Sequence, residues 1–272
     1  MLLRLPEPYD FELSTERYRA FGVDRANLWH EGGLHRVVDG AEVRIEAAPG
    51  GVTVTPVSGS EPLTRIGWYL GAAFDLDAFY DFAAGDAVLA RLAVALRGFR
   101  PPVALDPFES LVTSITAQQV SLFSAFAIRA RFVERFGVAH GHAHAFPTPE
   151  AVADATPEDL VALGFSRRKA EYVVGLARAD IDLDALAALP DEEVKARLVE
   201  IRGLGEWTAD WYLARHLARP TAWPAGDLGL RNAVAAFYGA VDDLRAFGAR
   251  FEPFQNLAAH YLLTGLRVAP PA

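Results

Sequence analysis

Hydrophobic and polar positions alternate over residues 34–57, which read LHRVVDGAEVRIEAAPGGVTVTPV. Alternation with a period of two is typical of β-strands that bury one face, and the β-branched residues of this stretch also favour strands. Asp39-Gly40 and Gly50-Gly51 interrupt the pattern, and because glycine accepts a positive φ, such dipeptides favour hairpin turns. We therefore predict antiparallel strands joined by tight turns.

From about Asp75 onward, the apolar positions recur with a helical period instead. A helical segment is predicted in residues 106–137. Its start is well defined, because Asp106 can cap it, Pro107 suits the first helical position and Glu109 completes a capping box. Short loops with Gly or Pro separate the further predicted helices. These helices lie at about 157–163, 167–179, 191–199, 205–217, 227–238 and 253–267.

The predicted fold class is α+β, in which an N-terminal domain with antiparallel strands at residues 1–80 precedes an all-helical region at residues 81–272. The chain is 51% hydrophobic, which is ample for packed cores. No run approaches the roughly 18–20 apolar residues that span a membrane, and the first ten residues make a poor signal peptide. We expect no membrane contact and a cytoplasmic protein.

The amino-acid composition excludes several kinds of catalytic and metal sites. The chain has no cysteine, which excludes disulfides, thiolate nucleophiles, cysteine-bound zinc and iron–sulfur clusters. Its formal net charge is −9, and residues 1–109 carry 10 Lys or Arg against 16 Asp or Glu. If nucleic acid is the partner, side chains neutralise few phosphates, so a local device must supply the binding.

One candidate for such a device lies within residues 191–217, where RGLGE separates two predicted helices. The second helix begins with free backbone N–H groups and the positive end of its dipole. Gly203 and Gly205 leave no Cβ to block an approaching phosphate, so an anion could bind there without any lysine. Taken alone, Gly-x-Gly more often marks a tight turn between helices.

Trp207 and Trp211 are four residues apart and therefore share one face of the second helix. They are either core residues or an aromatic wall for a flat ligand such as a base. Asp227 follows a proline-rich loop and stands at the start of the next predicted helix. It is either an N-cap, which is the commoner case, or a carboxylate at the mouth of a cleft. Arg231 is placed to pair with it or to face a phosphate.

The order of helix, GLGEWTA, helix, proline-rich loop and GDLGLRNAV resembles that of the helix–hairpin–helix DNA glycosylases. Within that superfamily the chain resembles the DNA-3-methyladenine glycosylase II group, the AlkA type. Further similar segments extend the resemblance over nearly the whole chain. They are PEPYDF at 6–11, FESLVTSITAQQVS at 108–121 and LVALGFSRRKAEYVVGLA at 160–177. The resemblance implies two helical subdomains that flank an active-site cleft.

Residue by residue, the resemblance assigns the catalytic carboxylate to Asp227. Trp207 stands where bifunctional relatives keep a Schiff-base lysine, which implies a monofunctional enzyme without a lyase step. Further residues match positions of the base pocket. They are Trp207, Trp211, Gln118, Leu228 and Leu263. Leu263 stands where the best-known members have a stacking tryptophan, which implies a roomier and less aromatic pocket.

The resemblance also assigns the DNA contacts. Gly203, Gly205 and Thr208 match hairpin positions that offer N–H or hydroxyl groups to phosphates. Gln119 matches the residue that wedges into the minor groove, and Arg231 remains a candidate phosphate contact. Three backbone carbonyls match those that hold a monovalent cation, Na⁺ or K⁺. They belong to Val199, Ile201 and Leu204.

The function implied is excision of alkylated bases, 3-methyladenine and related N-alkylpurines, by hydrolysis of the N-glycosidic bond after base flipping. The partner is double-stranded DNA that contains damaged bases, the chemistry requires no cofactor, and a monomer at the nucleoid of a bacterial cell is expected. Two alternatives stay open at this point: a glycosylase for other damaged purines, and a helix–hairpin–helix protein that binds DNA without catalysis.

Two other clusters receive weaker predictions. His140, His142 and His144 alternate in AHGHAHAF, and short histidine-rich segments of this kind can bind metal ions. Since no carboxylate is near them in the sequence, a solvated loop is the favoured interpretation. Arg167, Arg168 and Lys169 form the most basic stretch and are interpreted as a solvated helix start.

Overall fold

The structure is a computed structural model that describes residues 1–57 and 59–271. Its strands are β1 (Leu2–Arg4), β2 (Leu28–His30), β3 (Gly33–Val38), β4 (Ala41–Ala48), β5 (Gly51–Thr55), β6 (Val138–His140) and β7 (Ala143–Ala145). Its first helices are α1 (Phe11–Ser14), α2 (Arg17–Ala20), α3 (Glu61–Tyr69), α4 (Leu76–Ala83), α5 (Ala87–Ala95), α6 (Pro107–Ala117) and α7 (Leu122–Phe136). The later helices are α8 (Pro149–Ala153), α9 (Pro157–Ala162), α10 (Arg167–Ala177), α11 (Asp191–Glu200), α12 (Glu206–Arg215), α13 (Leu228–Tyr238), α14 (Leu244–Gly248) and α15 (Gln255–Val268).

No helix among these described residues is both long enough and apolar enough to cross a bilayer.

The first five strands form one antiparallel sheet in the order β1-β5-β4-β3-β2. The turn Asp39-Gly40 joins β3 to β4, and both of its residues have positive φ, 51° and 76°. This is the backbone of a two-residue hairpin turn, for which the Asp-Gly pair is suited. The prediction of antiparallel strands followed by helices is therefore confirmed.

Buried side chains form three hydrophobic cores. The first lies between the sheet and α3 and extends to Leu70. The second begins at Phe74 and unites α4 and α5 with α13 and α15 from the end of the chain. The third is built from the helices between them, α6 to α12. The helical region thus folds into two halves, because its last helices return to pack against its first.

The helical segment predicted for residues 106–137 consists of two helices, α6 and α7, because the chain leaves the helical conformation at Gln118. Gln119 has a φ of 53°, and Ser121 then caps α7 through a hydrogen bond from the N–H of Ser124, 3.2 Å. A positive φ is uncommon for a residue with a side chain and marks a loop held by its surroundings. The break places Gln118 and Gln119 at an exposed corner between the two helices.

The predicted capping box at the start of α6 is only half correct. Asp106 accepts a hydrogen bond from the N–H of Glu109, 2.7 Å. The carboxylate of Glu109 does not return to Asp106 but binds two guanidinium groups, those of Arg36 on β3 and Arg129 on α7, each at 2.6 Å. These three side chains are almost fully buried, so this ion network fixes α6 against the sheet.

Residues 138–145, predicted as a solvated loop, form the short hairpin β6–β7 and pack on β3. The backbone N–H of His142 donates to the carboxylate of Glu42, at 3.1 and 3.2 Å to its two oxygens. The interpretation of a loop without a nearby carboxylate is therefore wrong, because Glu42 is close in space although it is 100 residues away in sequence.

Candidate active site

A cavity of about 1100 Å³ opens between the two helical halves of the protein. Helices α6 and α12 line it from one side, and α13 and α15 line it from the other. Every predicted base-pocket residue lies on its wall. They are Trp207, Trp211, Gln118, Leu228 and Leu263. The volume is at the upper end of that of small-molecule sites and is large enough for a nucleoside.

Asp227 lies at the N-terminal end of α13 and uses its two carboxylate oxygens for different tasks. Oδ1 accepts the N–H of Leu230 at 2.8 Å and caps the helix. Oδ2 accepts the indole N–H groups of Trp207 at 2.8 Å and Trp211 at 3.0 Å. The capping and the cleft interpretations are therefore compatible, since the same carboxylate that caps α13 also faces the cavity.

Gly229, two residues after Asp227, leaves space for the Asp227 carboxylate because it has no side chain. A Cβ on Gly229 would lie 3.0 Å from Oδ1 of Asp227 and 3.4 Å from a methyl group of Leu263. Contacts of 3.0 Å are tighter than side chains normally make, so only glycine fits at this position without displacing the carboxylate. Gly229 thus contributes to the geometry although it has no functional group.

The two tryptophans have unequal surroundings. Trp211 is buried, with 2% of its surface exposed, and belongs to the core of the helical half. Trp207 is half-buried on the cavity wall. The guanidinium carbon of Arg215 lies 3.5 Å from the ring centroid of Trp211. Because Arg215 occupies that face of Trp211, the face is not free for a base, and Trp207 is the more accessible indole.

Arg215 is accompanied on the cavity wall by Arg17 and Arg267. Burial lowers the pKa of Arg215 well below its ordinary value, the charge of Arg17 lowers it further, and Asp227 acts in the opposite direction. Among the described residues, the buried Nε of Arg215 has no hydrogen-bond partner. The part of the wall beside Trp211 therefore carries guanidinium hydrogen-bond donors.

The two glycines of the Gly-x-Gly turn are needed for different reasons: Gly203 by internal packing, and Gly205 by the access it leaves to α12. Gly203 has a φ of 96°, and a Cβ there would lie 2.2 Å from a ring carbon of Tyr172. Its glycine is required by the packing of the protein itself. Gly205 is exposed, and a Cβ would meet nothing within 4 Å. It precedes α12, whose first N–H groups are open to an anion.

These glycines make a matched pair for mutation. Gly203→Ala is expected to lower the stability by about 1–3 kcal/mol, because the new methyl group overlaps the Tyr172 ring in a left-handed backbone. Gly205→Ala should unfold within a few degrees of the wild type and instead weaken duplex DNA binding, since the methyl group narrows the approach to the α12 N-terminus. Thermal unfolding and a binding titration on both variants check this. Equal effects of the two variants on both quantities would contradict it.

Gln118, at the end of α6, contacts the Gly-x-Gly turn before α12 on the same side of the cavity. Its Nε2 donates to the carbonyl of Gly203 at 3.0 Å, and the hydroxyl of Thr208 lies 3.4 Å from the same nitrogen. Thr208 is only 1% exposed. The Thr208 hydroxyl therefore lies beside Gln118 on the cavity wall, and its contact with a phosphate stays a prediction. Lys169, predicted to be solvated, is also buried, and its Nζ donates to the carbonyl of Thr116 at 2.9 Å.

Arg231 and Leu228 are both exposed residues of α13. The Arg231 guanidinium lies 3.5 Å from the carbonyl of Val241 and does not pair with the Asp227 carboxylate. Leu228 is 69% exposed at the rim of the cavity.

The three carbonyls predicted to hold a monovalent cation belong to the end of α11 and the turn after it. The carbonyl of Ile201 accepts the N–H of Leu204 at 3.0 Å, which leaves its second lone pair for a ligand. Val199 lies in the last turn of α11, where carbonyls lack helical partners. The ion itself stays a prediction.

Arg215 and Arg17 are site residues that the sequence reasoning missed. Arg215 is four residues after Trp211 on the same helical face, and this spacing alone could have indicated it. Arg17 could not be found in this way, because it comes from α2 and reaches the cavity only through the tertiary fold.

Comparison with known proteins places this site in a family. Residues 112–246 match the HhH-GPD superfamily of base excision DNA repair proteins. The chain is 31% identical over 211 residues to a DNA-3-methyladenine glycosylase of Bacillus subtilis, a match that covers 71% of this chain and 70% of that protein.

Two solved structures are similar over most of the fold. A 3-methyladenine DNA glycosylase from Archaeoglobus fulgidus superposes with a TM-score of 0.89 at 28% identity, over all of both chains. The Schizosaccharomyces pombe 3-methyladenine DNA glycosylase in complex with abasic DNA superposes with a TM-score of 0.62 at 27% identity. That match covers 72% of this chain and 99% of that chain.

Proposed function

This chain belongs to the HhH-GPD superfamily of base excision DNA repair proteins, and from that premise we propose that it is a monofunctional DNA glycosylase for alkylated bases. Its substrates are 3-methyladenine and related N-alkylpurines in double-stranded DNA. The observation that carries the proposal is the carboxylate of Asp227, which two indole N–H groups hold at the wall of a cavity large enough for a nucleoside.

The reaction would be hydrolysis of the N-glycosidic bond. As that bond breaks, positive charge develops on the deoxyribose, and a carboxylate nearby stabilises the oxocarbenium-like state. Asp227 can do this because its position is fixed from two sides before the substrate arrives. Its carboxylate would also orient or deprotonate the attacking water. This route needs neither a covalent nucleophile nor a cofactor.

A base can reach Asp227 only after it leaves the DNA stack, which costs a few kcal/mol and least for a damaged or mispaired base. Gln119, fixed at the corner between α6 and α7, would enter the gap that the base leaves. Leu228 at the rim would contact the DNA near the displaced nucleotide. The extruded base would lie against Trp207, with Gln118 and Leu263 on the other sides of the cavity.

The backbone of the Gly-x-Gly turn would hold the DNA strand. Dipoles and N–H groups at the start of α12 bind a phosphate without a basic side chain, which accounts for DNA binding by a chain of net charge −9. A Na⁺ or K⁺ ion on the carbonyls of Val199, Ile201 and Leu204 would add positive charge at the same place. Omitting both cations from the binding buffer would then weaken the complex.

Release of the free base from methylated duplex DNA tests the function. The purified protein is incubated with DNA treated with a methylating agent, and the released bases are separated by chromatography. We expect 3-methyladenine among the products, at a rate proportional to enzyme concentration. The absence of any released methylated base at stoichiometric enzyme would contradict the proposal and favour a protein that only binds DNA.

The absence of a lyase step gives a separate prediction. Trp207 stands where a Schiff-base lysine would be, so incubation with substrate DNA and borohydride should trap no covalent protein–DNA adduct. Denaturing electrophoresis detects such an adduct directly, and a bifunctional glycosylase serves as the positive control. A trapped adduct that forms only with lesion-bearing DNA would show that the enzyme is not monofunctional.

Other damaged purines are a second candidate substrate class, which the wall of Arg17, Arg215 and Arg267 favours. Guanidinium groups offer hydrogen-bond donors to a carbonyl oxygen of a neutral base. A duplex that contains hypoxanthine tests this class beside the methylated DNA. Faster release of hypoxanthine than of 3-methyladenine would make neutral purines the preferred substrates.

A further inference from the structure

Three histidines lie close together outside the cavity, at the N-terminal sheet, two of them from one hairpin of the sheet and the third from more than 100 residues later in the chain. His30 and His35 lie on the paired strands β2 and β3, and His142 lies at the tip of the β6–β7 hairpin. The ring centroids are 4.5 Å apart for His30 and His142, 5.3 Å for His35 and His142, and 5.6 Å for His30 and His35. We call these three residues and Glu42 the histidine cluster.

Glu42 determines which nitrogen of His35 carries the proton. Its Oε1 lies 2.7 Å from Nδ1 of His35, and an ionised carboxylate only accepts hydrogen bonds, so Nδ1 is the donor. The Nε2 atom is then left with a free lone pair. His35 is 5% exposed, and its Nε2 has no hydrogen-bond partner among the described residues. A buried acceptor without a partner is costly and calls for a ligand.

This arrangement is the one that metal-binding histidines use. Such a histidine donates one ring N–H to a carboxylate, which orients the ring and makes the other nitrogen a better ligand. The separations of the rings also fit. With zinc–nitrogen distances of about 2.0–2.1 Å, three imidazoles in a tetrahedral site have centroids about 5.2 Å apart, and the observed distances lie on both sides of this value.

In this structure the ring nitrogens of the three histidines do not point to a common metal position. Within residues 1–57 and 59–271, no three His, Asp or Glu side chains are placed so that they could hold a metal ion without a change of side-chain conformation. Two of the three rings can turn towards a metal, because the side chain of His30 is 39% exposed and His142 is exposed at the hairpin tip. His35 need not move, since its free nitrogen is already held in place by Glu42.

We propose that His30, His35 and His142 bind one borderline divalent transition-metal ion, with Zn²⁺ as the best-suited ion. Glu42 positions His35 by hydrogen bonding and is not itself a ligand. Water completes the tetrahedron on the exposed side. The bound ion would join the β6–β7 hairpin of the helical region to the N-terminal sheet, so its role is structural and separate from the base-excision site.

Metal titration of the full chain, free of any histidine tag and first treated with a chelator, tests the proposal. We expect one Zn²⁺ per chain by calorimetry. At a free concentration of about 100 times the dissociation constant, the unfolding temperature should rise by roughly 5–10 °C. Co²⁺ should give the visible absorption of a tetrahedral site. Failure of the wild type to bind one equivalent would overturn the proposal.

Variants locate the site. His142→Ala lies on an exposed tip, so it should fold, bind no stoichiometric Zn²⁺ and lose the thermal shift. His140→Ala in the same hairpin, which is outside the cluster, should keep both. Glu42→Gln should weaken Zn²⁺ binding by about 10–100-fold, as expected for loss of a carboxylate that orients a ligand. Undiminished binding and thermal shift in His142→Ala would place the ion elsewhere and overturn the proposal.

Discussion

Asp227→Asn is expected to lower the rate of 3-methyladenine release by about 10²–10³-fold, the usual cost of losing one preorganised electrostatic group. Asparagine caps a helix as well as aspartate does, so α13 should remain. What the variant loses is the negative charge that faces the cavity. The measurement is the single-turnover rate of base release from methylated DNA.

The variant also disturbs the local hydrogen bonds. The carboxylate accepts on both oxygens, from Leu230 on one side and from two indoles on the other. An amide accepts on one side only, so one set of donors loses its partner, at a cost of about 1–3 kcal/mol. Asp75→Asn is the matched control, because Asp75 caps α4 through the same type of hydrogen bond and does not line the cavity. It should leave the rate of base release unchanged.

Glu109→Ala is expected to cost about 3–5 kcal/mol of folding free energy, because it leaves the buried Arg36 without a carboxylate partner among the described residues and leaves Arg129 with Asp24 alone. Arg36 and Arg129 each bind Glu109 at 2.6 Å. Denaturant unfolding measures the loss. Glu134→Ala is the control, since its ion pair with Arg25 is on the surface and should contribute at most about 1 kcal/mol. Equal costs for the two variants would contradict the importance of the buried network.

The same network predicts how stability depends on pH. Burial by itself would raise the pKa of Glu109, but the charges of Arg36 and Arg129 outweigh it and hold the pKa below its ordinary value. A carboxyl whose pKa is lowered in the folded state contributes stability above its unfolded pKa of about 4.3, and the contribution is lost as the pH falls through the folded pKa. The unfolding free energy of Glu109→Gln should therefore fall less steeply below this pH than that of the wild type.

Sequence patterns predicted the local elements well. The helices α9, α11, α12 and α13 lie within about two residues of their predicted bounds, because their ends are set by neighbouring caps, prolines and glycines. The hairpin β6–β7 was missed, since its alanines and histidines have no strong strand preference. The hairpin is stabilised by its hydrogen bonds to Glu42 and by packing on β3. Local sequence patterns do not predict contacts between segments so far apart in the chain.

The sequence predicted which residues form the candidate site but not how their side chains contact one another. Spacing placed Trp207 and Trp211 on one face and Asp227 at a helix start, yet it left open whether they meet. The fold brings both indole N–H groups to one carboxylate oxygen. The partners of Glu109 and the inward position of Thr208 depend on contacts between segments far apart in sequence, so local patterns could not indicate them.

The central claim is that Asp227 performs the chemistry while the turn at residues 203–205 and the cavity bind the DNA. Its most direct test is to measure, for the wild type and Asp227→Asn, the single-turnover rate of base release at saturating enzyme and the dissociation constant for an abasic-site duplex. We predict rates that differ by about 100-fold or more and affinities that agree closely. Release by Asp227→Asn at the wild-type rate, with the same affinity, would contradict the account.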